Sequence, residues 1–193
     1  FDDSAADSAP QPPGRGIDGE LRGDATLIAD GASGQAVRLD GRDDYVVAGA
    51  IDDYVLNIKS PLTLSLWARL DAVGGDEWDN VLLNYATNDY YTEDEETNYA
   101  YWLNVEPDGR LRMFWEHGSG SNVSVFSEPA GLEDGAWHHI AVVRQDGTVT
   151  FSIDGTVLGE PVAATQAPTG GGRGMLYLGA DTEGSGSTDL DGA

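Results

Sequence analysis

From Leu62 to Leu70 every second residue is apolar: Leu62, Leu64, Leu66, Ala68 and Leu70 alternate with Thr63, Ser65, Trp67 and Arg69. Successive side chains of an extended chain point to opposite faces, so a period of two predicts a strand with one face on a core. Val149, Phe151 and Ile153 alternate in the same way with Thr148, Thr150 and Ser152. Ile140–Val143 is apolar throughout, as expected of a central strand covered on both faces. Shorter strands are predicted at Ala25–Ile28, Ala36–Leu39, Tyr45–Val47 and Met175–Leu178. Three Asp-Gly pairs, Asp108-Gly109, Asp146-Gly147 and Asp154-Gly155, stand between strand-like runs. Both residue types tolerate the positive φ of tight hairpin turns, so each pair predicts a hairpin: Tyr99–Val105 with Arg110–Glu116, Trp137–Arg144 with Thr148–Ile153, and a turn into Thr156–Leu158.

No helical period, heptad or internal repeat competes with this pattern. Evenly spaced short strands predict an all-β fold, an antiparallel β-sandwich of two packed sheets, with residues 1–193 forming one domain. Pro10, Pro12 and Pro13 lie among Ser, Ala and Asp, so residues 1–24 are expected to run as an irregular arm. Trp67, Trp102, Trp115 and Trp137 fall within predicted strands and are expected to pack in the core or between sheets.

Composition changes the picture in two ways. No apolar run approaches the roughly 20 residues of a membrane-spanning helix, so membrane insertion by a helix is not expected. The 34 acidic residues against 10 basic ones give a formal charge of −24, and Lys59 is the only lysine. Nucleic acid and anionic membranes both need a basic face, so neither is an expected partner. Such charge opposes compaction in dilute buffer; a salt-adapted, halophilic surface or bound Ca²⁺ would relieve it. Zero Cys excludes disulfides and thiolate chemistry.

Two acidic segments offer metal chemistry. Asp40-Gly41-Arg42-Asp43-Asp44 holds three carboxylates in one turn, and Ca²⁺ collects six to eight oxygens from such groups and loop carbonyls. The same Asp residues also serve a turn without any metal. The stretch Ala86–Asn98 carries Asp89, Glu93 and Asp94 beside Glu95 and Glu96, with no basic residue. These carboxylates repel one another unless a cation or water separates them. Asn88, Tyr90 and Tyr91 in that stretch, and Trp78 in a second acidic loop, are candidate sugar contacts through amide bonding and ring stacking. Asn122-Val123-Ser124 is an N-glycosylation triplet, which marks Asn122 as a candidate acceptor in an extracellular protein.

Catalytic patterns are missing. His138 and His139 are adjacent on a strand, so they face opposite ways and cannot converge on one substrate. Sandwich glycosidases place carboxylates alternately along one strand, whereas Glu93-Asp94-Glu95-Glu96 is consecutive. The chain is not expected to be an enzyme.

Six stretches occur together in order: Gly34-Gln35-Ala36-Val37-Arg38-Leu39-Asp40-Gly41 with Asp43-Asp44-Tyr45-Val46; Leu62-Thr63-Leu64-Ser65-Leu66-Trp67; Asp108-Gly109-Arg110-Leu111; Trp137-His138-His139-Ile140-Ala141; Phe151-Ser152-Ile153-Asp154-Gly155; and Leu176-Tyr177-Leu178-Gly179-Ala180. In that order the chain resembles the laminin G-like, pentraxin-related domains of the concanavalin A-like superfamily. The resemblance implies a jelly-roll sandwich, a structural Ca²⁺ near the terminal strands, and an extracellular or cell-surface module that binds a glycan or a cell-surface protein. It also implies that Phe1-Asp2-Asp3 and Leu190-Asp191-Gly192-Ala193 are remnants of a first and a last strand, so the sequence is expected to be an excerpt of a longer chain. Open sheet edges would then permit self-assembly, and the alternative role is a domain of a cell-surface filament or layer completed by strand addition.

Overall fold

A computed structural model of the chain describes residues 18–51, 61–75, 80–87, 98–117, 121–168, 174–180 and 191–192. In chain order the strands are β1 (Gly19–Arg22), β2 (Thr26–Ile28), β3 (Ala36–Asp40), β4 (Tyr45–Ile51), β5 (Leu62–Ala68), β6 (Val81–Thr87), β7 (Asn98–Val105) and β8 (Arg110–Glu116). They continue as β9 (Asn122–Pro129), β10 (His138–Gln145), β11 (Thr148–Ile153), β12 (Thr156–Val157), β13 (Val162–Ala163), β14 (Gly174–Leu178) and β15 (Asp191–Gly192).

All pairings are antiparallel. One sheet has the order β1-β4-β14-β6-β7-β8-β9. Its register lines up Leu21, Val46, Leu178, Leu83, Leu103, Met113 and Val125 as one row across all seven strands. The facing layer holds β12-β11-β10-β5, with β13 beside β11, and a separate three-stranded sheet β15-β3-β2. Ile140, Val142, Val149 and Phe151 from that layer meet the row above, forming the main core.

The Asp-Gly hairpins form where the sequence places them. At Asp146-Gly147 and Asp154-Gly155 both residues take positive φ, the geometry whose twist matches paired strands. At Asp108-Gly109 only Gly109 does, and the turn closes instead through the Gly109 N–H donating to the Glu106 carbonyl at 2.8 Å.

Three expectations change. β1 occupies residues expected to be irregular: Leu21 is the one apolar side chain in Gly19–Arg22, too short a pattern to show a period, yet it pairs with Val46 and packs on the core. Residues 19–22 are therefore a strand and not part of an irregular arm. Trp67 is 51% exposed, because it falls on the polar phase of the β5 alternation. Trp102 is buried, but on the outer face of the larger sheet.

That outer face carries a buried layer of its own. Tyr177, Asn84, Trp102 and Phe114 form a row across β14, β6, β7 and β8 and are all nearly inaccessible. Trp102 stacks on Phe114 at 4.2 Å. Next to them Arg112 lies 3.4 Å from Glu106, both about as buried as the core, and its Nε donates to Ser124 Oγ at 3.1 Å. Asn104 donates to the same Glu106 carboxylate at 3.2 Å.

Candidate functional site

β3 ends on Asp40, and the turn to β4 carries Asp43 and Asp44 back toward the turn that follows β1. Asp24 of that turn completes a cluster: one carboxylate oxygen from each of Asp24, Asp40, Asp43 and Asp44 lies within 4.8 Å of all the others. The turn approaches so closely because Gly23 has no side chain; a Cβ there would lie 2.6 Å from Asp44 Oδ1 and meet the Asp43 carbonyl. Asp44 is 2% exposed and accepts the Asp24 N–H at 2.6 Å and the Asp40 N–H at 3.1 Å. Burial, followed by the neighbouring Asp24 and Asp40 carboxylates, holds the Asp44 carboxyl above its ordinary range, although the Asp24 N–H pulls the other way.

The donor set suits Ca²⁺. Two oxygens bound to one Ca²⁺ at about 2.3–2.6 Å stand no more than about 5 Å apart, which the 4.8 Å spread satisfies. Four carboxylates leave coordination positions for carbonyls and water. The backbone of β15 pairs Asp191 with Asp40, so the last described strand runs to the same corner. Asp24 escapes a reading of the sequence because it stands 16 residues from Asp40; its local signal is the Gly23-Asp24 turn.

A second arrangement lies on the outer face of β12-β11-β10-β5. With Leu64, Ala68, Ile140, Val142, Val149 and Phe151 turned inward, the strands present Thr63, Ser65, Trp67, His139, Ala141, Val143, Thr150 and Ser152 outward. None of these residues carries a carboxylate, in a chain with 34 of them. Among the described residues the exposed large hydrophobics are Trp67, at 51%, and Val157, at 52%. Both belong to this face, since Val157 pairs directly with Ser152. Trp67 is held by His139, its direct cross-strand partner, with ring centroids 5.2 Å apart and the planes tilted at 55°. The His139 ring is itself fixed by a 2.7 Å hydrogen bond between Nε2 and Ser65 Oγ. The indole therefore stands as a braced apolar plate among small hydroxyl side chains.

His138 faces the other way, as the strand period requires. It bridges two carboxylates, Nδ1 to Asp154 Oδ2 at 2.8 Å and Nε2 to Asp134 Oδ1 at 3.0 Å. These two bonds, Asp154 first, raise its pKa above the ordinary 6.5. A raised folded pKa stabilises fully below the unfolded value and is lost as pH climbs through the folded one. The stability difference between wild type and His138→Gln should therefore shrink as pH rises from the ordinary 6.5 through the higher folded pKa, measured by denaturant unfolding at each pH. A difference that grows with pH would contradict the assignment. The role is a brace between the 154–155 turn and the segment before β10.

Asp89, Glu93, Asp94, Asn88, Tyr90, Tyr91 and Trp78 lie outside the described residues. Asn122 opens β9 and is exposed, with Ser124 exposed two residues on.

Residues 17–193 match the sequence profile described as the Concanavalin A-like lectin/glucanases superfamily. No curated protein sequence matches the chain. Among solved structures, the binding domain of Paraclostridial Mosquitocidal Protein 1 superposes with a TM-score of 0.61 at 14% identity, over 93% of this chain and 44% of that one. Domain 4 of AbnA, an extracellular arabinanase of Geobacillus stearothermophilus solved with arabinotriose, gives 0.57 at 17% identity, over 91% and 80%. Domains LG4-5 of the mouse laminin α1 chain give 0.53 at 19% identity, over 80% and 38%. The chain thus spans less than half of the first and third of these structures. At such identities the likeness establishes the fold: an all-β, laminin G-like sandwich.

Proposed function

We propose, on the premise that the chain belongs to the Concanavalin A-like lectin/glucanases superfamily, that it is a non-catalytic extracellular module that binds glycans with the support of Ca²⁺. The observation that carries this reading is Trp67, half exposed and braced by His139, on strands whose outward residues Thr63, Ser65, Ala141, Val143, Thr150 and Ser152 carry no carboxylate. A sugar ring presents an apolar face and a rim of hydroxyls. An indole plate with the Ser65 hydroxyl two residues along its own strand, and Ser152 across the sheet in the Ser65 row, is complementary to both. Two of the similar structures are named as a binding domain and as a domain in complex with arabinotriose, which supports a binding role on this fold.

Asp24, Asp40, Asp43 and Asp44 are the residues proposed to hold Ca²⁺, which would neutralise their mutual repulsion and pin the first turn to the β3–β4 corner. Asp89, Glu93 and Asp94 form a second proposed cation set. Trp78, Asn88, Tyr90 and Tyr91 form a second proposed glycan contact set, and Asn122 a proposed glycosylation acceptor at the cell surface.

The test is a panel of immobilised and soluble neutral oligosaccharides that begins with arabinotriose, read by titration calorimetry. Trp67→Ala is expected to weaken binding by about 30-fold or more, since a buried Trp contact is worth about 2 kcal/mol. Undiminished binding by Trp67→Ala, with loss in Trp78→Ala or Tyr90→Ala, would move the site to the acidic loops. Silence of the wild type across the panel would remove the glycan reading. The alternative, a domain of a cell-surface filament or layer, is favoured by one observation: among the described residues β5 has a partner on one side only.

A further inference from the structure

His138 makes two hydrogen bonds that only its charged form can donate. Its Nδ1 stands 2.8 Å from Asp154 Oδ2 and its Nε2 stands 3.0 Å from Asp134 Oδ1. Both carboxyls are held below their ordinary range, by the backbone N–H groups of Ala136 and His139 first and by His138 next. Ionised carboxylates accept and do not donate, so both ring nitrogens carry a proton and the ring is an imidazolium. Asp134 and Asp154 are the charged groups that face it. β5 and β11 contain no charged residue, the cross-strand partner is Ala68, and the neighbouring Arg69 is turned to Asp30 and Trp137.

Asp154 links this ring to the other face of β10. Its Oδ1 accepts the His139 N–H at 2.8 Å, and its own N–H donates to the His139 carbonyl at 2.9 Å. The N–H and C=O of a strand residue point to the same neighbour, so His139 and Trp67 form a non-hydrogen-bonded pair, whose side chains lie closest. Asp154 therefore supplies both backbone partners of the residue that braces the indole. It does so at φ 51°, a conformation uncommon outside glycine, which its side-chain bonds help to fix.

We propose that His138 is a pH-operated clasp on the Trp67 plate: as the imidazolium it holds Asp154 and, through His139, the indole, and on losing its Nδ1 proton it releases them. The effect on binding rests on the glycan reading of Trp67; the effect on the indole does not. A neutral ring keeps one N–H. A free histidine side chain favours the Nε2 tautomer, and Asp134 Oδ1, anchored by the Ala136 N–H at 2.8 Å, is in place to receive that proton. The Nδ1 lone pair then faces the Asp154 carboxylate and repels it. The two carboxylates, Asp154 first, keep the ring charged beyond the ordinary 6.5, so release comes as pH climbs past that value.

The test is an NMR pH titration of the sugar-free chain that follows the His138 ring nitrogens, the His139 amide and the Trp67 indole, the last assigned with Trp67→Phe. The amide and the indole should shift with the midpoint of the His138 ring, and the neutral ring should carry its proton on Nε2. His138→Gln should remove that midpoint from both signals while any step of the His139 ring stays. Asp154→Asn, which keeps an oxygen for the His139 N–H but no charge for the imidazolium, should do the same. Arabinotriose should bind about 5-fold or more weakly above the midpoint than below it. Amide and indole signals that ignore the His138 midpoint, a neutral ring protonated on Nδ1, or an arabinotriose affinity unchanged across the midpoint would overturn the proposal. Silence of arabinotriose with the coupled titration intact would support the clasp and count against the glycan reading alone.

Discussion

Arg112→Met is expected to lower folding stability by about 3–5 kcal/mol, seen as a thermal midpoint lower by about 6–20 °C. The side chains of Arg112 and Glu106 are 6% and 8% exposed, and they approach within 3.4 Å as a buried ion pair. Removing the guanidinium leaves the Glu106 carboxylate in a place that water barely reaches, and that uncompensated charge is the larger part of the expected loss. The rest is packing: the guanidinium sits 5.4 Å from the Phe114 ring and 5.8 Å from those of Trp102 and Phe126, where a cation is attracted to each ring face. Adding Glu106→Gln to Arg112→Met should recover much of the loss, since no charge is then stranded. Arg110→Ala is the contrast, because its partner Asp108 is more than half exposed and such surface pairs contribute about 0–1 kcal/mol. Equal losses from the two arginines would contradict the buried-layer account.

Calcium removal is the second large effect. An ion at about 100 times its dissociation constant stabilises the folded state by about 2.7 kcal/mol, so chelation should lower the thermal midpoint by about 5–11 °C. Sodium chloride separates this from general screening. If the −24 charge alone limits stability, salt at matched ionic strength replaces Ca²⁺ in full, as the halophilic reading requires. Asp24→Asn with Asp43→Asn should abolish the calcium response without lowering calcium-free stability, because it removes two of the mutually repelling charges. The pH dependence has a fixed sign. The raised Asp44 pKa gives a contribution fully present below 3.8 and lost as pH rises through the folded value, so the calcium-free protein should gain stability from this group on mild acidification.

Much of the fold is readable from local pattern. Arg110–Glu116 and Thr148–Ile153 have the limits their composition predicts, and the Asp-Gly pairs mark the hairpins because few residues accept positive φ. β1 is unreadable for the opposite reason: its place depends on pairing with β4 across more than 20 residues. The outer layer is hidden because Leu111 to Trp115 is buried on both faces, so alternation vanishes where a sheet is covered twice. For the candidate site, Asp40, Asp43 and Asp44 are visible as a cluster, while Asp24 joins them only through the fold. Trp67 shows the danger of reading residue type before phase. Its aromatic character argues for the core, and its position between Leu66 and Ala68 argues for the outside; the phase decides.

The glycan-binding account stands or falls on where a ligand touches the molecule. Backbone and indole NMR shifts of the labelled, calcium-loaded chain, followed during titration with the tightest-binding oligosaccharide of the panel, give that location directly. The expected result is a set of perturbations centred on the Trp67 indole and extending to Ser65, His139 and Ser152 across the neighbouring strands. Perturbations that leave these four residues unmoved, or none at all at saturating sugar, would contradict it.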